Sequence, residues 1–285
     1  MDAHSKRKMK NTLEQVLFHT VVILLGFIML YPILWMVSNS FKNNSEIFNT
    51  SSLIPTTFNF KSYLRGWNFN NSITFATFFK NSFYYTIISS IGAVLASSLV
   101  AYGFARVPFR GRTFWYACMF VTMMIPYQVV MVPQFIIFHK IGWINSFKPL
   151  IIPQFAGVPF FIFLMVQFIR QIPYELDDSA KIDGCNRFSV FSRILFPLIK
   201  PAVITSAIFS FYWRWDDFLG PLLYLNKPKL FTVSLALRMF SDPQNSTDWS
   251  AIFAMGTLSL IPVLIIFLFF QKYIVQGLVT TGLKG

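Results

Sequence analysis

Apolar positions along the chain come in blocks of about 20 residues, each bounded by short polar or charged segments. About 20 residues is the helical length that crosses a hydrocarbon core of roughly 30 Å. The pattern predicts six spans: Val16–Val37, Ser82–Phe104, Phe114–Phe138, Leu150–Ile169, Ala202–Leu225 and Ala251–Gln271. Helix is the expected form, because the bilayer interior offers no partner to an unpaired backbone amide. The fold class read from the pattern is all-α, a polytopic membrane protein forming one domain over 1–285. The longest polar connections are 39–80, 171–200 and 226–250.

Composition agrees. Of 285 residues, 55% are hydrophobic and 12% charged, about half the charged share of a soluble domain. The formal net charge of +13 raises nucleic acid as a partner, but nucleic-acid binders gather Lys and Arg on one face. Here the basic residues stand at the ends of apolar blocks, where they contact lipid headgroups and set topology. With the N-terminus in the cytosol, the inner segments carry fourteen Lys and Arg and the outer segments nine, the sense of the positive-inside rule. The tight inner loop Arg106–Arg112 is the clearest part of that signal. Both termini and the 171–200 loop are then cytosolic, and 39–80 and 226–250 external. Lys6, Arg7, Lys8 and Lys10 precede an apolar stretch in the manner of a signal peptide, but the stretch is long and lacks a small-residue cleavage site, so it reads as a retained first span.

Two features bear on packing. Ser89, Ala93, Ser97 and Ala101 recur every four residues, flanked by Gly92 and Ala96. Such spacing lets a second helix approach closely, within the bundle or across a subunit interface. Pro126, Pro133, Pro153 and Pro159 interrupt spans three and four. Each removes an internal hydrogen bond, giving simple kinks or the walls of a transport cavity. Gln128, Gln134, Gln154 and Gln167 beside them favour a partly wet interior.

Signs of catalysis are missing from the sequence. It contains no GxxxxGK[ST] phosphate loop and no HExxH or GxSxG. His4, His19 and His139 are scattered, and Cys118 and Cys185 have no metal-ligand spacing and are not expected to pair. The chain reads as a non-enzyme without cofactor or metal, so any energy it uses comes from an ion gradient or from another chain.

The 171–200 segment is the most informative. Pro173 suits the first turn of a helix, and Glu175, Asp177 and Asp178 follow where the helix dipole favours anions. Gly184 suits a left-handed cap and Asn186 can cap a second helix, whose apolar positions Phe188, Phe191, Ile194 and Leu195 recur at three to four. Two short helices joined at Gly184 are predicted. The first presents Ser179, Ala180 and Gly184 as a small-residue surface for a protein partner; the pair could alternatively lie in the membrane interface, although the first helix is acidic.

This loop resembles the EAA motif of binding-protein-dependent ABC importer permeases, in which Glu-Ala-Ala, two residues, Asp-Gly and a later Ile-x-x-Pro recur. Here the matching residues are Asp178-Ser179-Ala180, Asp183-Gly184, Ile194 and Pro197. Further fragments resemble the carbohydrate branch, and specifically the G-type permease of maltose-like systems: Tyr31-Pro32 with Ser40-Phe41-Lys42, Asn81-Ser82, Ala101 to Arg106, Ile172-Pro173 with Glu175-Leu176, Trp215 to Leu219, Val275 to Leu278, and Lys284-Gly285. The resemblance covers almost the whole chain. Asp178, Ser179 and Cys185 depart from the usual Glu, Ala and small residue, and Asp216 stands where Asn is frequent.

The resemblance implies a type I ABC importer permease of six spans in a bacterial inner membrane. It implies ATPase coupling through Glu175, Asp178, Ser179, Ala180, Asp183, Gly184, Ile194 and Pro197. The implied partners are a cytosolic ABC ATPase dimer that binds the ATP, a homologous second permease, and an external sugar-binding protein, with a sugar or oligosaccharide as cargo. Arg214, Asp216 and Asp217 fall near the outer end of span five, where intramembrane charges face a cavity or pair. The three-residue spacing of Arg214 and Asp217 suits a neutralising pair; lining of the substrate path is the alternative. A secondary transporter or channel driven by an ion gradient is the competing function, and it would want acidic or His relays at mid-membrane that the sequence lacks.

Overall fold

The computed structural model describes residues 3–68, 73–240 and 247–282, with side chains described over 14–68, 73–240 and 247–273. Helices are the only extended regular elements among the described residues. Four are long and apolar enough to cross a membrane: Glu14–Asn39, Phe75–Arg106, Lys148–Gln171 and Trp249–Tyr273. Two bent pairs, each counted as one broken span, bring the number to six among the described residues: Arg112–Met123 with Tyr127–Lys140, bent by 96°, and Arg187–Leu198 with Lys200–Trp215, bent by 77°.

The differences from expectation have local causes. The second helix begins at Phe75 rather than Ser82, because Phe75 and Phe78 are fully buried and extend the packed face past the polar Lys80-Asn81 pair. The fifth span does not run on to Leu225: its helix stops at Trp215, and Asp217 Oδ1 accepts the Gly220 amide at 3.1 Å, opening a separate short helix, Leu219–Tyr224. Of the four prolines in spans three and four, only Pro133 lies inside a helix. Pro126 stands at the 96° break, Pro153 lies in the 3₁₀ turn Ile152–Ala156, and Pro159 opens the helix Pro159–Gln171. The polar connections also hold short helices, Asn44–Asn49, Lys61–Trp67 and Val233–Met239; positions 69–72 and 241–246 of those connections lie outside the described residues.

The chain divides into two compact units, residues 1–69 with 240–258 and residues 70–239 with 259–285. In the first, Arg65 grips Asp248 through two contacts, at 2.7 and 3.2 Å, and Asn44 Oδ1 accepts the Ser250 amide at 3.0 Å. Lys42, fully buried, donates to the Ser52 carbonyl at 2.5 Å. Burial alone would raise the Asp248 carboxyl, but hydrogen bonds from Arg65, the Ala251 amide and Ser250, with the Arg65 charge, bring it below its ordinary value. A lowered carboxylate contributes stability above its unfolded pKa that is lost as pH falls through the folded one. A double-mutant cycle of Arg65→Ala and Asp248→Ala should therefore give a coupling of about 0.5–1 kcal/mol at neutral pH, since both side chains are partly solvated. Thermal unfolding should show that coupling persist in mild acid and vanish only as pH falls below the ordinary carboxylate range.

In the second unit the Phe75–Arg106 helix is central, packed against Pro159–Gln171 and Lys200–Trp215. Its stripe of Ser89, Ala93, Ser97 and Ala101 is wholly buried, so the small residues serve packing within the chain. A Cβ added at Gly92 would lie 2.5 Å from the Phe155 ring. Met165, Ile169, Leu195, Ile199 and Ala202 complete this core.

Candidate functional site

The loop between spans four and five folds as its sequence dictates. The acidic helix runs Glu175–Ile182. Gly184 takes φ +81°, a left-handed conformation open to glycine, and its amide donates to the Lys181 carbonyl at 3.0 Å. Asn186 Oδ1 accepts the Ser189 amide at 2.8 Å and caps the second helix. That helix winds as a π-helix over Val190–Leu195, a widening the apolar spacing does not signal. It sinks Phe191 and Leu195 into the core, leaves Phe188 exposed and Ile194 half-buried, and carries exposed Pro197 in its last turn.

The structure sorts the predicted loop residues by face. Glu175, Asp178, Ser179, Asp183 and Gly184 are exposed. Asp178 pairs with Lys181 at 2.8 Å, and Ser179 donates back to the Glu175 carbonyl at 2.8 Å. Ala180 is 4% exposed and packs into the core cluster. The small-residue surface expected of Ser179, Ala180 and Gly184 is thus not one face: Ala180 points inward.

What holds the acidic helix is a contact the sequence reading missed. Arg106, the last residue of the second span, lies 3.2 Å from Asp177, with side chains 2% and 8% exposed. Arg106 Nη2 donates to the Ile172 carbonyl at 2.6 Å, and its guanidinium sits 4.0 Å over the Tyr174 ring. The Tyr174 hydroxyl donates to the Ala105 carbonyl at 3.0 Å, and the Tyr102 hydroxyl to the Arg187 carbonyl at 3.1 Å. The Arg106–Asp177 contact is a charge pair without hydrogen-bond alignment, and Asp177 Oδ1 and Arg106 Nη1 have no hydrogen-bond partner among the described residues. Burial raises the Asp177 carboxyl, opposed by the charges of Arg106 and Lys181. The available signal was that Asp177 and Ala180 share one face at a three-residue spacing, with Arg106 ending the second apolar block.

Arg214, Asp216 and Asp217 divide differently. Arg214 Nη2 donates to Gln154 Oε1 at 2.5 Å, while Asp217 Oδ2 accepts from the Tyr85 hydroxyl at 2.7 Å. The expected Arg214–Asp217 pair does not form, because the helix ends between them and no turn aligns the two. Arg214 and Asp217 nevertheless line one cavity of about 330 Å³, with Tyr127, Gln134, Gln154 and Trp213. Asp216 lines another, of about 350 Å³, with Trp215 and Phe218.

Residues 91–280 match the family described as binding-protein-dependent transport system inner membrane component. The chain is similar to the probable ABC transporter permease protein YurM of Bacillus subtilis (strain 168), with 34% identity over 256 residues, 90% of this chain and 84% of that protein. It is similar to the trehalose/maltose transport system permease protein MalG of Thermococcus litoralis, with 29% identity over 277 residues, 97% and 99% of the two chains. Its fold matches a chain in the crystal structure of a bacterial ABC transporter that imports the acidic polysaccharide alginate, with a TM-score of 0.81 at 21% identity over 93% of this chain and 97% of that one. The family match runs from within the second span to the C-terminal helix and includes the whole loop between spans four and five. The chain belongs to the inner-membrane permeases of binding-protein-dependent ABC importers.

Proposed function

We propose that this chain forms half of the pathway for a sugar or oligosaccharide, beside a homologous second permease. An external binding protein delivers the cargo, and a separate ABC ATPase dimer binds and hydrolyses the ATP. The single observation that carries coupling is the loop at 171–200: a short acidic helix with Glu175, Asp178, Ser179, Asp183 and Gly184 outward, tied from behind to the end of the second span. A helix held in that way moves with the span it is bound to. Force applied to its outer face by a partner that closes on ATP is thus passed into the bundle. In this reading the loop and both termini are cytosolic, and Ile194 and Pro197 orient the second helix toward the span it enters. The sugar assignment is supported by MalG, whose name places it in trehalose/maltose transport.

The reading predicts that Ser179→Cys and Asp183→Cys will crosslink to the ATPase subunit in membranes, whereas Ala180→Cys will not, because that side chain is buried. In reconstituted vesicles uptake should require ATP, the ATPase, the second permease and the binding protein together. Uptake by this chain alone, or labelling of Ser179→Cys from the outside of intact cells, would refute it.

A further inference from the structure

The cavity beside Arg214 stands where two helices are broken. The 96° bend at Pro126 delivers Tyr127 and Gln134 to it. The 3₁₀ turn Ile152–Ala156, ahead of Gly157, delivers Gln154. Irregular backbone at membrane depth is tolerated where it lines a polar cavity, and discontinuous helices meet at substrate sites in transporters. At about 330 Å³ the space lies at the small end of ligand sites, which run from about 300 Å³ upward.

Its lining is held in place before any ligand arrives. Gln154 fixes Arg214 at 2.5 Å. Tyr85, 1% exposed, fixes Asp217 at 2.7 Å, and the Gly220 amide holds its other oxygen. Trp213 stacks on Phe161 with ring centroids 5.3 Å apart and planes 13° from parallel. Arg214 Nε has no hydrogen-bond partner among the described residues. The wall thus offers donors from Arg214, an acceptor in Asp217, groups of both kinds in Gln134, Gln154 and Tyr127, and an indole surface in Trp213.

We infer that this cavity is a subsite for one ring of a neutral sugar, with Trp213 against the apolar face of the ring and Arg214 and Asp217 hydrogen-bonding its hydroxyls. Mixed donors and acceptors suit hydroxyl groups, which both give and take hydrogen bonds. One cation and one anion leave the lining without net charge, and a uronate ring would bring a second anion beside Asp217. Asp216 faces the other cavity and takes no part. The inference rests on the reading of the chain as a sugar permease, and the experiment separates the two.

Vesicles carrying the full complex and its binding protein would be offered radiolabelled neutral oligosaccharides from starch, arabinan and chitin digests, and alginate oligomers, with uptake and ATP hydrolysis measured together. Uptake of none of these by the unmodified complex defeats the sugar reading itself, and the subsite with it. Uptake of alginate in preference to every neutral sugar overturns the subsite alone. With a neutral sugar as cargo, Trp213→Ala and Arg214→Gln are expected to lower sugar moved per ATP about tenfold, with binding-protein-stimulated hydrolysis kept within twofold, and Asp216→Asn is expected to change neither. Unchanged sugar per ATP in both variants overturns the proposal. If Trp213→Ala also loses hydrolysis, Trp213→Tyr decides: retention of at least half the uptake supports a stacking role, and damage equal to alanine overturns it.

Discussion

Arg106→Ala is expected to abolish ATP-driven uptake while leaving the protein inserted in the membrane. The substitution strands Asp177, whose side chain is 8% exposed, as a buried charge without its partner. Breaking a buried pair from one side costs about 3–5 kcal/mol, or about two to three and a half orders of magnitude in the population of the attached loop conformation. It also removes the hydrogen bond to the Ile172 carbonyl and the ring contact with Tyr174, so the acidic helix loses three of its ties at once. Arg106→Lys keeps the charge without the planar fork and should fall between. Arg106→Ala with Asp177→Ala removes both charges and should be less damaged than the two single effects combined. Binding-protein-stimulated ATP hydrolysis and uptake in vesicles would measure all four; wild-type uptake in Arg106→Ala would show that the contact transmits nothing. The pH dependence has a definite sign. Because burial raises the Asp177 carboxyl, its neutral form is favoured below that pKa, and ionisation costs stability as pH rises through it. Acid therefore weakens the pairing without unfolding the chain, and coupling should fall in mild acid before secondary structure does.

Gly157→Ala is expected to destabilise the second unit and lower uptake. Gly157 holds φ +91° and ψ 155°, a region populated essentially by glycine, where another residue is strained by about 1–3 kcal/mol. An added Cβ would meet Ile162 at 3.3 Å and the Ser97 backbone at 3.6 Å. That backbone belongs to a clasp in which the Val158 amide donates to Ser97 Oγ at 2.9 Å, so relief of strain there loosens the fourth span from the second. Gly103→Ala is the control. Nothing lies within 4 Å of its added Cβ, and alanine in a helix interior is favoured over glycine by up to about 1 kcal/mol, so that variant should melt at or slightly above the parent temperature. Equal melting of both variants would show that the Gly157 backbone is unconstrained.

Much of this architecture was legible because a bilayer imposes one rule on every span. Apolar blocks of about 20 residues pointed to the four long apolar helices and to the two bent pairs, and Pro173, Gly184 and Asn186 located the loop helices, since each acts on backbone within a turn of itself. What stayed hidden depends on distant partners. Arg106 read as a topology charge because its worth lies in Asp177 and the Ile172 carbonyl, 71 and 66 positions on. Ala180 read as surface because a small residue suits a packed face as well as an open one. Asp217 read as the helical partner of Arg214, yet its carboxylate opens the helix that follows, and Tyr85 and Gly220, not Arg214, satisfy it. The breaks in spans three and four were signalled by proline, but their convergence with Arg214 on one cavity follows only from the packing.

The second span is 32 residues long, about 48 Å at the helical rise of 1.5 Å per residue. The hydrocarbon it crosses is about 30 Å thick, so the rod overshoots by more than three turns. Its Arg106 end is the long arm of a lever: a swing of roughly 5° about the far end carries that tip by about 4 Å along a 48 Å rod. Under the proposed coupling, a modest stroke at one membrane surface would be geared to a small rotation among the tightly packed serines and alanines within.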